Sequence, residues 1–119
     1  MKSLTPLMLI VLLGAALAGA IDISGKWEVE ATFDDPRIEA GGFDCALKQE
    51  EERLTGTCSD GTASLAGEID GPTIIWRVTN GGQPPVTTMF SGTLNRSGTA
   101  IEGRLSGGGK GGSFTATKG

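Results

Sequence analysis

Few residues in this chain are able to do chemistry. There is no histidine and no tyrosine among its 119 residues, which removes Ser-His-Asp, Cys-His and His-metal arrangements. Three features are left: two cysteines, Cys45 and Cys58; a set of carboxylates, Asp34, Asp35, Glu39 and Asp60; and the run Gly107-Gly108-Gly109-Lys110-Gly111-Gly112. The cysteines lack the C-x-x-C spacing of a redox pair. Four carboxylates brought together could hold Ca²⁺, but their spacing matches no calcium loop, and Arg37 and Lys110 stand among them. A solvated acidic rim without a metal is the expectation. Paired carboxylates for glycoside cleavage need one acid buried enough to donate a proton, and nothing in the sequence buries one. The glycine run satisfies G-x-G-x-x-G, a motif that needs a strand before it and a helix after it. Here the strand-like "SFTATKG" follows, and Lys110 is succeeded by Gly111 rather than Ser or Thr, so neither a dinucleotide nor a Walker A site is expected. No cofactor and no enzymatic activity are expected.

The elements that would position these residues begin after a leader. "MKSLTPLMLIVLLGAALAGA" has one early Lys, an apolar stretch from Leu7 to Leu17 that is too short to span a bilayer, and a small-x-small end at Ala18-Gly19-Ala20. Residues 1–20 read as a signal peptide, with cleavage after Ala20 or after Ala18, and 21–119 as one domain of a secreted or periplasmic protein. "LAGA" is close to a lipobox, but Ala20 occupies the place of the lipid-accepting Cys, so no membrane anchor is expected. Lys2 leaves with the leader, so nine of the ten basic residues face all 14 acidic ones, a balance of −5. That balance disfavours nucleic acid and anionic membrane as partners.

Apolar residues then alternate with polar ones at period two. Trp27, Val29, Ala31 and Phe33 share one face of 25–33. Phe43, Cys45 and Leu47 share a face of 43–49, and Leu54, Gly56 and Cys58 a face of 53–58. The same parity runs through Ala63, Leu65, Gly67 and Ile69, then Ile74, Trp76 and Val78, then Val86, Thr88, Phe90, Gly92 and Leu94. It ends with Thr99, Ile101, Gly103 and Leu105, and with Phe114 and Ala116. These eight segments predict an all-β fold. Ser59-Asp60-Gly61, Asp70-Gly71-Pro72 and Asn95-Arg96-Ser97-Gly98 carry turn chemistry between them. Asn95-Arg96-Ser97 is also a glycosylation sequon. Short links favour an up-and-down antiparallel meander, and an eight-stranded meander closes into a barrel that hides both edges.

A turn over Glu50-Glu51-Glu52-Arg53 sets Cys45 directly opposite Cys58. Facing residues of an antiparallel pair lie within disulfide range, and a secreted chain favours oxidation. A disulfide is therefore expected, closing a loop worth about 3 kcal/mol in the chain-entropy model. A two-residue turn gives the same register, but a type I′ turn asks Glu to adopt positive φ at both central positions, which it resists.

Alternate loops of a meander gather at opposite ends. The longer ones, 34–42, 80–85 and 107–111, join 59–61 at what should be the open end. Phe33, Phe43, Trp76, Phe90 and Phe114 are expected to converge there, with Ile38 as a lid and Thr88 as a polar anchor beside Gln49 and Thr99. Trp27 and Trp76 either stack a ligand or fill the core. The inward Gly56, Gly67, Gly92 and Gly103 either ease sheet coiling or leave room for a ligand.

"SGKW", "LTGT", "TIIWRV", "TTMFSGTL" and the final "FTATKG" resemble the avidin family of calycin barrels. The family's ureido-binding positions are occupied here by Val29 and Phe33, and its tyrosine is missing, so the resemblance implies the fold and not biotin binding. It also implies a basic residue of the last strand, Lys118, over Trp27, a cation–π contact of about 0.5–1 kcal/mol. A second resemblance, to small periplasmic metalloprotease inhibitors, implies a free N-terminal arm that enters a protease cleft; only three residues separate Ala20 from Ser24, which opens the barrel, too short an arm for that, so inhibition is the alternative reading. Three functions follow as expectations: a barrel binding a small apolar ligand or a protein partner at the open end, a protease inhibitor, or a purely structural barrel.

Overall fold

The computed structural model describes residues 21–119, so the reading of 1–20 as a leader lies outside the described residues. The strands are β1 (Gly25–Phe33), β2 (Gly41–Glu50), β3 (Arg53–Cys58), β4 (Ala63–Asp70), β5 (Thr73–Asn80), β6 (Thr87–Leu94), β7 (Ala100–Gly107) and β8 (Lys110–Lys118). Each pairs antiparallel with its sequence neighbours, and β1 pairs with β8, closing an up-and-down barrel. Period-two alternation builds it. In β4, Ala63, Leu65, Gly67 and Ile69 point inward and are buried, while Ser64, Ala66, Glu68 and Asp70 face water. Among the described residues no charged or polar residue is buried.

Cys45 pairs with Cys58 in the β2–β3 register, and the two form a disulfide. The turn that sets this register differs from the expected one. Glu50 pairs with Arg53, leaving a two-residue link, and only its first residue, Glu51, takes positive φ (59°). A single left-handed residue suffices, so the objection to two of them does not apply.

The barrel's two ends are built differently. At the short-loop end, Leu54, Ile69, Ile74, Leu94 and Ile101 are buried near the turns, and Ile23 fills the opening at 0 % exposure. The segment before β1 is tied down. Ile23 donates its N–H to Gln49 Oε1 (3.0 Å), and its carbonyl accepts from Trp27 Nε1 (2.8 Å). Ile21–Ser24 lie against the barrel because Ile23 is apolar and its peptide groups have partners, so this segment is not the free arm that an inhibitor of that kind uses. Lys118 reaches the Asp22 carbonyl (3.4 Å) rather than the Trp27 ring. Trp27 itself is core.

The inward glycines also have a definite reading. A Cβ on Gly56 would collide with the Ala46 carbonyl, one on Gly67 with that of Ile75, one on Gly92 with that of Glu102, and one on Gly103 with that of Ser91. Neighbouring backbone already fills the space a side chain would need. These glycines permit tight coiling, the first of the two readings, and leave no room for a ligand.

Candidate functional site

β1 and β2 carry Ala31, Phe33 and Phe43 to the long-loop end, and β4, β5 and β6 bring Ala63, Val78 and Thr88 alongside. Together with Phe90 and Leu105 they wall a cavity of about 300 Å³ that opens between the loops. That volume is at the small end of ligand pockets, and an apolar wall with a few polar groups is the usual composition. Small side chains make the space. Ala31 and Ala63 face inward where the other end has leucine and isoleucine. The polar groups stand at the mouth: Glu39 from the β1–β2 loop, Ser59 from the β3–β4 turn, and Asn80 where β5 ends.

The rim is held by local bonding. Ser59, Asp60 and Gly61 take positive φ in succession (55°, 56° and 89°). Thr62 closes this turn by donating both its N–H (3.2 Å) and its Oγ1 hydroxyl (2.8 Å) to the Ser59 carbonyl. Asn80 Oδ1 accepts from the N–H groups of Gly82 and Val86, both at 3.1 Å. That clamp swings Val86 over the mouth, where it remains 45 % exposed.

The acidic rim resolves into ion pairs. Arg104 grips Asp34 through two N–H donors at 2.6 and 3.3 Å, and Arg37 and Lys110 both reach Asp35, at 2.9 and 3.5 Å. The hydrogen bonds from Arg104 and Arg37 hold the Asp34 and Asp35 carboxyls below their ordinary value. No group of residues able to hold a metal ion occurs among the described residues. Glu39 makes no ion pair there.

Phe33, Phe43, Thr88 and Phe90 line the cavity as placed by parity. Trp76 and Phe114 do not. They pack behind the lining ring of Phe90: Phe90 meets Phe114 edge-on (5.0 Å between ring centres), and Trp76 lies 6.3 Å from each. The Trp76 indole N–H is buried without a hydrogen-bond partner among the described residues. Ile38 is half-buried in a turn whose N–H bonds back to the Asp35 carbonyl (3.0 Å), and it does not line the cavity, so it is no lid. Gln49 and Thr99, offered as polar anchors, belong to the opposite end. Gln49 braces Ile23, and Thr99 is bonded within the β6–β7 turn to Asn95. Sequence reasoning placed Glu39 at this end as part of the acidic rim and Val86 on the inward face, but named neither of them, nor Asn80, as a lining residue. The parity of Ile74, Trp76 and Val78 extends to Asn80, and Val86 shares the parity of Thr88; Glu39, in a loop, carries no such signal.

No family model matches the chain, and no curated protein matches it. Among solved structures it is similar to a redesigned β-barrel, mFAP1, bound to DFHBI, at a TM-score of 0.59 and 16% identity, covering 82% of this chain and 94% of that one. At that identity the likeness shows the fold alone. It supports the eight-stranded antiparallel barrel and does not reach the avidin family.

Proposed function

We propose that this chain is a secreted, non-enzymatic, calycin-like barrel that binds a small apolar ligand in its open-end cavity. One observation carries the reading: a cavity of about 300 Å³ walled by Phe33, Phe43, Val78, Phe90 and Leu105 opens to solvent at one end of the barrel. At water's share of about 30 Å³ per non-hydrogen atom, it holds a ligand of about ten such atoms. The similar barrel mFAP1 is bound to DFHBI, so a small molecule is within the capacity of this architecture. The disulfide and the apolar leader support export. The absence of histidine and the pairing of Asp34 and Asp35 with cations support a binding role over catalysis. A filled interior would have favoured a purely structural barrel, and the tethered Ile21–Ser24 segment weakens the inhibitor reading.

1-Octanol is a probe of the right size. Titration calorimetry should give saturable one-to-one binding to the folded chain. Ala63→Leu, which places three more carbons in the cavity, should abolish it while the thermal transition is retained. Absence of saturable binding, or full binding by the Ala63→Leu variant, would sink the proposal.

A further inference from the structure

The cavity's single charge points to the class of its ligand. Of the lining residues only Glu39 is ionisable, and neither Lys nor Arg is among them. Three cations lie at that end, Arg104 on Asp34 and Arg37 and Lys110 sharing Asp35, a cluster with one net positive charge that stands outside the lining of the cavity. Beside the mouth an outer groove is bordered by Glu28, Glu30, Asp44 and Asp60, and Lys26 joins Asp44 and Asp60 in the groove next to it. Among the described residues the one charge lining the cavity itself is therefore negative, and charge of one sign in a cleft with low-dielectric walls concentrates ions of the opposite sign there. Phe33 and Phe43, at the mouth with Glu39, present aromatic rings that attract an ammonium and offer nothing comparable to a carboxylate.

We propose that the ligand is a cationic amphiphile, a primary alkyl- or aralkylammonium whose chain enters the cavity and whose charged head stays at the mouth against Glu39. This rests on the cavity being a binding site and adds the sign of the head group. A carboxylate head, as in a fatty acid, would have to sit beside Glu39 with no cation among the lining residues to pair with it. Binding forms no bond and transfers no group, so head-group charge is the only variable.

Three probes of equal chain length test it: n-octylammonium, 1-octanol and octanoate, each below its micellar concentration and measured by calorimetry at low salt. Octylammonium should bind about three- to fivefold tighter than 1-octanol, the size expected of one exposed charge pair, and octanoate should bind weakest. Glu39→Gln should bring octylammonium and 1-octanol within about twofold of each other. Glu52→Gln, which removes the same charge at the far end, should leave the preference intact. Raising the salt to 0.5 M should shrink the preference, because charges at the solvent-exposed mouth are screened. Equal binding of the three, tighter binding of octanoate, or a preference that survives Glu39→Gln would overturn the cationic head while leaving the cavity as a site. Failure of all three to bind would overturn the site as well.

Discussion

The two ends of the barrel share strands, alternation and closure, yet one is plugged and the other hollow. At the short-loop end Ile23 comes from outside the sheet to close the opening, and its peptide group is satisfied by Gln49 and Trp27. At the long-loop end none of the described residues does the same. Ala31 and Ala63 are small, Ile38 stays in its own turn, and Phe33 and Phe43 line the wall without filling the space between them. An eight-stranded barrel has an interior just wide enough to be packed or to hold one small ligand. This chain does each at a different end. Stability is therefore expected to reside at the plugged end, leaving the hollow end free for recognition.

Matched truncations test that division most strongly. Ile23→Ala should cost about 2–5 kcal/mol, because a fully buried side chain leaves a cavity that the rigid strands do not close. Phe43→Ala removes a larger but half-exposed ring beside existing space, and should cost about 1–2 kcal/mol. Urea denaturation of both variants measures the difference. Equal losses would mean that the two ends are not energetically distinct.

Matched enlargements give the next largest effect. Ala116, buried on β8, has no cavity beside it, so Ala116→Leu should overpack the core at about 1–3 kcal/mol. Ala63→Leu grows into the cavity and should change stability by less than about 1 kcal/mol. A large loss from Ala63→Leu would show that the space at the open end is not available to side-chain atoms.

Much of this division was legible in the sequence, for reasons specific to particular residues. Strand parity placed Phe33, Phe43, Thr88 and Phe90 at the open end, because side-chain direction in a strand is fixed by counting. The Cys45–Cys58 pair followed from the same counting across one hairpin. Parity does not say how closely adjacent backbones approach, so it left two readings of Gly56, Gly67, Gly92 and Gly103 open, and the neighbouring carbonyls decide for sheet coiling over ligand space. The space lies instead beside Ala31 and Ala63, which the sequence did not distinguish from other small inward residues. Trp76 and Phe114 had the right direction but the wrong depth, since parity gives a face and not a height along the barrel. Ile23 was missed as a plug because it precedes the first alternating segment, and residues outside a strand carry no period. The same is true of Ile38 and Glu39, whose loop positions only tertiary structure decides.

The smallest effect concerns the turn that sets the disulfide register. Glu51 holds φ 59°, a left-handed conformation that costs a residue with a Cβ roughly 1–2 kcal/mol. Glycine would remove that cost but lose about 0.5–1 kcal/mol of chain entropy on folding. Glu51→Gly should therefore stabilise the barrel by about 0.5–1 kcal/mol. The one hydrogen bond made at this residue, from Gln49 Nε2 to its carbonyl at 2.8 Å, uses the main chain and survives the substitution. Glu51 also stands between Glu50 and Glu52, so relief of like-charge repulsion would raise stability as well. Glu51→Gln separates the two causes, since it removes the charge and keeps the Cβ. If backbone strain governs, Glu51→Gly exceeds Glu51→Gln at every salt concentration; if repulsion governs, the two gains are equal and both fade with salt. Because the turn lies at the plugged end, neither change should alter 1-octanol binding at the other end.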